Sequence, residues 1–282
     1  MAPPTVNDFG KDAKDILEKD FKPGFINFET RSKTSNGIDV KLNGSHNIKS
    51  QDLLSFCEIK VPIAYGLYTK VKVDSKFALL HEIEANEQLL KNVKHVVQTT
   101  LKSGEGLKSI NLKNNFKFKL ANLNVDMNFQ DFCPTTSSNL SVQIPSTPIL
   151  LGASMTIESQ KWKPSKLMAA ACYRTRQLEA TSTINEKKDL GLSILHRADF
   201  ADLVFRMGYV MNKHATNYDI GFLHRLDGTR YFRGKVDQDL NVGGSFSIRV
   251  KEGVNLTFNS LLDVKNFSSG NHKFGVVVDI VA

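Results

Sequence analysis

From Phe25 to the C-terminus the hydrophobic period of the chain is two, in segments of about ten residues divided by turn signals. Ala201, Leu203, Phe205, Met207 and Tyr209 run along one face, with Asp202 and Arg206 on the other. Val242, Gly244, Phe246, Ile248 and Val250 oppose Asn241, Gly243, Ser245, Ser247 and Arg249. Val254, Leu256 and Phe258 alternate with Asn255, Thr257 and Asn259, and a polar loop from Asp263 to Asn271 precedes the last strand. Each segment therefore has one apolar and one polar face. Soluble strands average nearer five or six residues, whereas about ten are needed to cross hydrocarbon at a tilt. A sandwich could also bury such stripes. The turn signals give on the order of eighteen to twenty strands of this length, and a sheet of that size with no apolar helix to cover it is expected to close on itself as an all-β barrel.

The 282 residues carry a formal charge of +8, with a pI near 9.2. The basic residues are spread along the chain with no Lys/Arg block, which disfavours a nucleic-acid partner and fits inward or rim charges from many strands. Cys57, Cys133 and Cys172 have neither disulfide nor metal spacing. His46, His81, His95, His196, His214, His224 and His272 are scattered, and no nucleophile motif or Gly-rich phosphate loop is present. The expectation is a protein that is not an enzyme, with no metal and no cofactor. The N-terminus has no secretory apolar run, and Asp8, Asp12 and Asp15 are foreign to a transit peptide. The most apolar segments, Pro148 to Met155 and Leu167 to Tyr173, are too short for a membrane helix, which leaves a membrane barrel open.

The first residues follow another period. Thr5 is a good N-cap, Asp8 three residues later completes a capping box, and Val6, Phe9, Ala13, Ile16 and Leu17 recur at helical spacing. The spacing predicts one short amphipathic helix with Gly10 inside it, at about 1 kcal/mol. Alone it would be marginal, so it must dock. Phe21-Lys22-Pro23-Gly24 ends it, dividing the chain into a helix and hinge (1–24) and a barrel (25–282). Asn36-Gly37 reads as a two-residue hairpin turn. Phe77 to Lys102 allows either a helix or two strands joined at Asn86-Glu87, and the barrel requires the strands.

Several stretches resemble the mitochondrial voltage-dependent anion channels, the eukaryotic porins. They are Ala2-Pro3-Pro4-Thr5 with Asp8-Phe9-Gly10-Lys11, Ser35-Asn36-Gly37, Tyr65-Gly66-Leu67, and the run from Gly234-Lys235-Val236 through Lys251-Glu252-Gly253-Val254 and Leu261-Leu262-Asp263 to His272-Lys273-Phe274-Gly275. The resemblance implies nineteen strands, parallel pairing of first and last, and the helix inside the lumen. It implies a voltage-gated, weakly anion-selective pore for ATP, ADP, phosphate and small ions in the mitochondrial outer membrane, in contact with membrane lipid and able to form a homo-oligomer.

The resemblance places nucleotide contact on Lys11 and Lys19, and on Asn241, Val242, Gly243, Asn259, Ser260, Leu261, Leu262 and Asp263, where ordinary strand residues are the plainer reading. Lys14, Arg233, Lys235 and Arg249 are candidate pore and selectivity charges. Lys273, Gly275, Val278 and Ile280 fit a sorting signal for barrel insertion. There are departures. Asp20 stands where the family has a glycine, Asn92-Val93-Lys94 keeps only the lysine of a Gly-Leu-Lys motif, and the signature near His224 retains Asp227, Lys235 and Asp237. Val71 replaces the lipid-facing glutamate that the family links to hexokinase docking, so that partner is expected to be weakened or lost. The alternatives are a related mitochondrial protein-import pore and a soluble all-β binding or scaffold protein.

Overall fold

The computed structural model describes residues 2–63, 66–87, 91–104, 106–130, 133–158 and 163–282. Tyr65, and Leu89-Leu90 of the ambiguous segment, lie outside them. Among the described residues the chain forms one α-helix, α1 (Lys11–Glu18), and nineteen strands. The first strands are β1 (Phe25–Lys33), β2 (Asp39–Asn47), β3 (Leu53–Pro62), β4 (Leu67–Asp74), β5 (Ala78–Asn86), β6 (Val93–Lys102) and β7 (Gly106–Lys117). Next come β8 (Ala121–Gln130), β9 (Cys133–Gln143), β10 (Ile149–Glu158), β11 (Lys163–Arg174), β12 (Leu178–Asn185) and β13 (Leu190–Arg197). The last are β14 (Asp202–Val210), β15 (Ala215–Arg225), β16 (Arg230–Asp237), β17 (Asn241–Lys251), β18 (Val254–Asp263) and β19 (Lys273–Val281).

Neighbours in sequence are neighbours in the sheet, and β1 pairs with both β2 and β19, so the sheet is a closed barrel without a free edge. An odd number of strands joined by hairpins makes the closing pair parallel: Ile26 lies opposite Val276, Phe28 opposite Val278 and Thr30 opposite Ile280. The polarity of the strands is the reverse of a soluble sandwich. Ile26, Phe28, Leu203, Ile220 and Phe258 are exposed on the outer face, while Asn27, Ser245, Ser247, Thr257 and Asn259 are buried on the inner one. Such an apolar exterior suits hydrocarbon and excludes the soluble reading.

Two expectations are corrected. The N-terminal segment is not one helix. Val6–Asp8 forms a 3-10 turn, in which Asp8 accepts the Thr5 N–H and hydroxyl at 3.2 and 2.7 Å. Gly10 then takes a left-handed φ of 68° and becomes the N-cap of α1, a conformation glycine adopts without a Cβ penalty. The Asn36-Gly37 hairpin is also longer than two residues. Only Gly37 has positive φ, and Thr34 donates to the Ile38 carbonyl across three intervening residues, a three-residue loop with its left-handed residue last. Phe77 to Lys102 does form two strands, β5 and β6, paired from Ala78–Lys102 to Asn86–Lys94.

The chain divides by contacts into two compact units. In the unit of Met1–Phe9, Ser32–Leu42 and Ser55–Ala171, Asn122 and Ser141 donate to the Pro3 and Pro4 carbonyls at 3.1 and 2.6 Å. Val6 is buried there against Gly152, where an added Cβ would lie 2.8 Å from Val6 Cγ2. In the unit of Gly10–Arg31, Asn43–Leu54 and Cys172–Ala282, Ala13 and Leu17 of α1 form a small apolar core with Leu195 of β13 and Val204 of β14, with Ile16 beside it.

Candidate pore-lining site

Leu195 and Val204 alternate with the exposed Leu203 and outward Ile194, so the helix sits on the inner, polar face of β13 to β16. In a closed sheet that face is the lumen. Small residues make the approach possible. A Cβ at Gly221 of β15 would lie 2.5 Å from Leu17 Cδ2, and the Phe21 ring rests against Gly243 of β17. Lys22 and Phe25 carbonyls lie against Gly275 of β19.

Asp12 and Glu18 of the helix meet wall arginines. Asp12 pairs with Arg197 at 2.5 Å. Glu18 pairs with Arg206 at 2.6 Å, and Arg206 also holds Asp219 at 2.6 Å. The buried Glu179 of β12 accepts the Gly10 N–H at 3.1 Å and two Arg174 N–H groups, each at 3.0 Å. The C-terminal end of α1, where carbonyls lack helical partners and the dipole is negative, faces bases. Lys235 donates to the Leu17 carbonyl at 3.1 Å, and Arg233 donates to that of Lys19. Lys235 also stands 4.1 Å over the Phe21 ring, a cation–π contact. Arg233 approaches Asp20 at 3.9 Å.

Lys11, Lys14 and Lys19 are exposed, and the Lys14–Glu18 contact is loose at 3.9 Å. Of the candidate pore charges, Arg233 and Lys235 thus meet the helix, while Arg249 is exposed toward the far end of β17, paired across to Asn255. The resemblance-derived nucleotide stretch is one paired patch, with Asn241 opposite Asp263, Val242 opposite Leu262 and Gly243 opposite Leu261. Strand alternation divides it: Asn241, Gly243, Asn259, Leu261 and Asp263 share the lumen face, whereas Val242, Ser260 and Leu262 share the outer face.

Both glycine replacements keep the backbone that glycine favours, with Asp20 at φ 59° and Asn92 at φ 65°. Asp and Asn are the residues that best tolerate that region after glycine. Val71 is paired between Ile59 and His81 on the outer face. Along β19, Gly275 faces inward and Lys273, the first residue of the strand, lays its stem over Gly24 at the rim, while Val278 and Ile280 face outward beside Phe28 and Thr30. In the β15–β16 turn, Asp227 accepts from Thr229 Oγ1 at 2.6 Å, from the Thr229 and Arg230 N–H groups at 2.7 Å and from Arg230 Nε at 2.7 Å. These bonds, led by the Thr229 hydroxyl, hold its carboxyl well below the usual carboxylate range. Among the described residues no three His, Cys, Asp or Glu side chains converge as metal ligands.

Glu179, Arg174, Arg197, Arg206 and Asp219 form much of the helix seat, yet sequence motifs do not single them out. The available signal was the glycine content of β15 to β17, which marks close approach by another segment.

The family profile described as eukaryotic porin matches residues 2–275. The chain is similar to the non-selective voltage-gated ion channel VDAC2 of Meleagris gallopavo, at 27% identity over 99% of this chain and 95% of the relative. The proteins of the same name from Mus musculus and Homo sapiens are 28% and 27% identical, with the same coverage.

Proposed function

The chain belongs to the eukaryotic porin family, and from that premise we propose that it is a voltage-gated, weakly anion-selective pore of the mitochondrial outer membrane. Its cargo is small ions and metabolites such as ATP, ADP and phosphate. The observation that carries the selectivity is the charge around α1: Asp12 and Glu18 are offset by the wall arginines Arg197 and Arg206, and Arg233 and Lys235 add positive charge at the C-terminal end of the helix. Arg233 and Lys235 are held by carbonyl oxygens, which orient a cation without cancelling its charge. Fixed positive charge along a lumen raises the local anion concentration and lowers the anion barrier.

Voltage gating is carried over from the printed name of the VDAC2 relatives. Those relatives are named non-selective, so the anion preference proposed here rests on the lumen charges alone. A permeating nucleotide would meet the helix lysines and the lumen half of the β17–β18 patch, Asn241, Gly243, Asn259, Leu261 and Asp263. Val71 leaves an apolar side chain at the hexokinase-linked position, so that partner is not expected here. Recording the purified protein in a planar bilayer tests the reading. It requires discrete conductance steps that close as the voltage rises in either polarity; a membrane that stays silent, or steps indifferent to voltage, would refute it.

A further inference from the structure

We propose that the outer wall from β1 and β19 across to β17 binds one anionic phospholipid, its headgroup at the strand ends and an acyl chain along the wall. Two cavities of unlike character adjoin there. One, of about 450 Å³, lies among the hinge at Pro23-Gly24, the turn after β2 and the loop before β19. Lys49, His272 and Lys273 line it, with no acidic residue in its wall. Lys49 and Lys273 have no ion-pair partner among the described residues. The stem of Lys273 lies over Gly24, and the His272 Nε2 is held by the Phe267 carbonyl at 2.9 Å. Lys273 and His272 are therefore tethered at the cavity.

The second cavity, of about 470 Å³, is an apolar trench. Its floor is the cross-strand pair Gly244–Ser260, and Phe232, Phe246, Phe258 and Phe274 stand around it. Phe258 and Phe274 are 48% and 63% exposed, so the trench opens outward. The two cavities share Ile48 and Phe274 as lining. A basic pocket at the end of the strands, continuous with an apolar trench along them, has the polarity of a phospholipid. A sterol would use only the trench and a free phosphate only the pocket. Charge complementarity selects an anionic headgroup, since each lysine near a membrane surface adds appreciably to attraction for anionic lipid.

The inference rests on the membrane-spanning barrel but not on its ion preference. The test uses the full chain in detergent micelles, with native mass spectrometry against phosphatidylglycerol and phosphatidylcholine of the same acyl chains. The expected result is retention of one phosphatidylglycerol about 10-fold more strongly than phosphatidylcholine. Lys49→Ala with Lys273→Ala should abolish that preference, and Ser260→Phe, which fills the trench, should weaken retention of both lipids. Far-UV circular dichroism confirms that each variant keeps its strands. Equal retention of the two lipids by the unaltered chain, or a preference surviving the double lysine variant, overturns the site. Displacement of phosphatidylglycerol by inorganic phosphate, with Ser260→Phe without effect, shows a phosphate pocket and also overturns it. Conductance of the same preparation in a phosphatidylcholine bilayer reports on the pore independently, so failure of the pore and failure of the lipid site are told apart.

Discussion

Glu179 takes the backbone N–H of Gly10 at 3.1 Å, at the point where the N-terminal segment changes from a 3-10 turn to α1. The same carboxylate is bound by two N–H groups of Arg174, and it is 1% exposed. One side chain thus satisfies a helix-start donor and neutralises a wall arginine. Glu179→Gln retains the shape but replaces one acceptor oxygen by an amide NH2 that faces a donor, and leaves Arg174 without its counter-charge, at about 1–3 kcal/mol. The expected outcome is a lower midpoint of thermal unfolding in detergent, together with faster proteolysis between Phe9 and Lys11. An unchanged midpoint with unchanged proteolysis would show that the helix is seated without this bond.

Gly275 belongs to the candidate sorting signal, but the structure gives it a second duty. A Cβ there would collide with the backbone carbonyls of Lys22 and Phe25, which flexible side chains cannot relieve. Gly275→Ala should therefore destabilise the folded barrel by about 1–3 kcal/mol, even when refolding is done in micelles with no insertion machinery present. Urea unfolding of the refolded variant measures this. Unfolding indistinguishable from the parent would confine Gly275 to a role in sorting.

Asp20 holds a left-handed backbone at φ 59° immediately after α1. Its contact with Arg233 is 3.9 Å, too long for a hydrogen bond. The backbone, then, decides the residue type. Asp20→Asn should be near neutral, whereas Asp20→Ala should lose about 1 kcal/mol. Thermal unfolding of the two variants side by side checks the ordering, and equal losses would point to the Arg233 contact instead.

Asp227 gives the β15–β16 turn a pH dependence. Its folded carboxyl titrates below its ordinary value of 3.8, so the unfolded chain binds the proton first as pH falls. The stabilisation is complete above that ordinary value and is lost as pH drops through the lower folded value. Amide exchange at Thr229 and Arg230 should be insensitive from neutral pH down to about pH 4, once corrected for intrinsic rates, and should then lose protection. Asp227→Asn should remove the step. A step centred near neutral pH would assign the effect to another group.

The barrel was legible because strand period and strand length are local properties, and Leu203 and Phe258 lie outward as their alternation requires. Parallel closure was not readable from alternation; it came from the resemblance, since Ile26 and Val276 lie at opposite ends of the chain. The break at Gly10 was missed because apolar spacing from Val6 to Leu17 continues through it, while the backbone turns left-handed to reach Glu179. Arg233 and Lys235 were found as charges but not as helix anchors, because their acceptors are backbone carbonyls that carry no sequence signal. The Asn36-Gly37 turn was placed correctly and given the wrong length, as Asn-Gly suits more than one loop with a left-handed residue.

The most direct test of the account is the reversal potential of the open channel in a KCl gradient, for the natural chain and for Lys11→Glu with Lys14→Glu and Lys19→Glu. Chloride preference is expected in the natural chain and a shift toward potassium in the variant, because the three substitutions turn exposed positive charges of the lumen helix negative. Potassium preference in the natural chain, or an identical reversal potential in the variant, would contradict it.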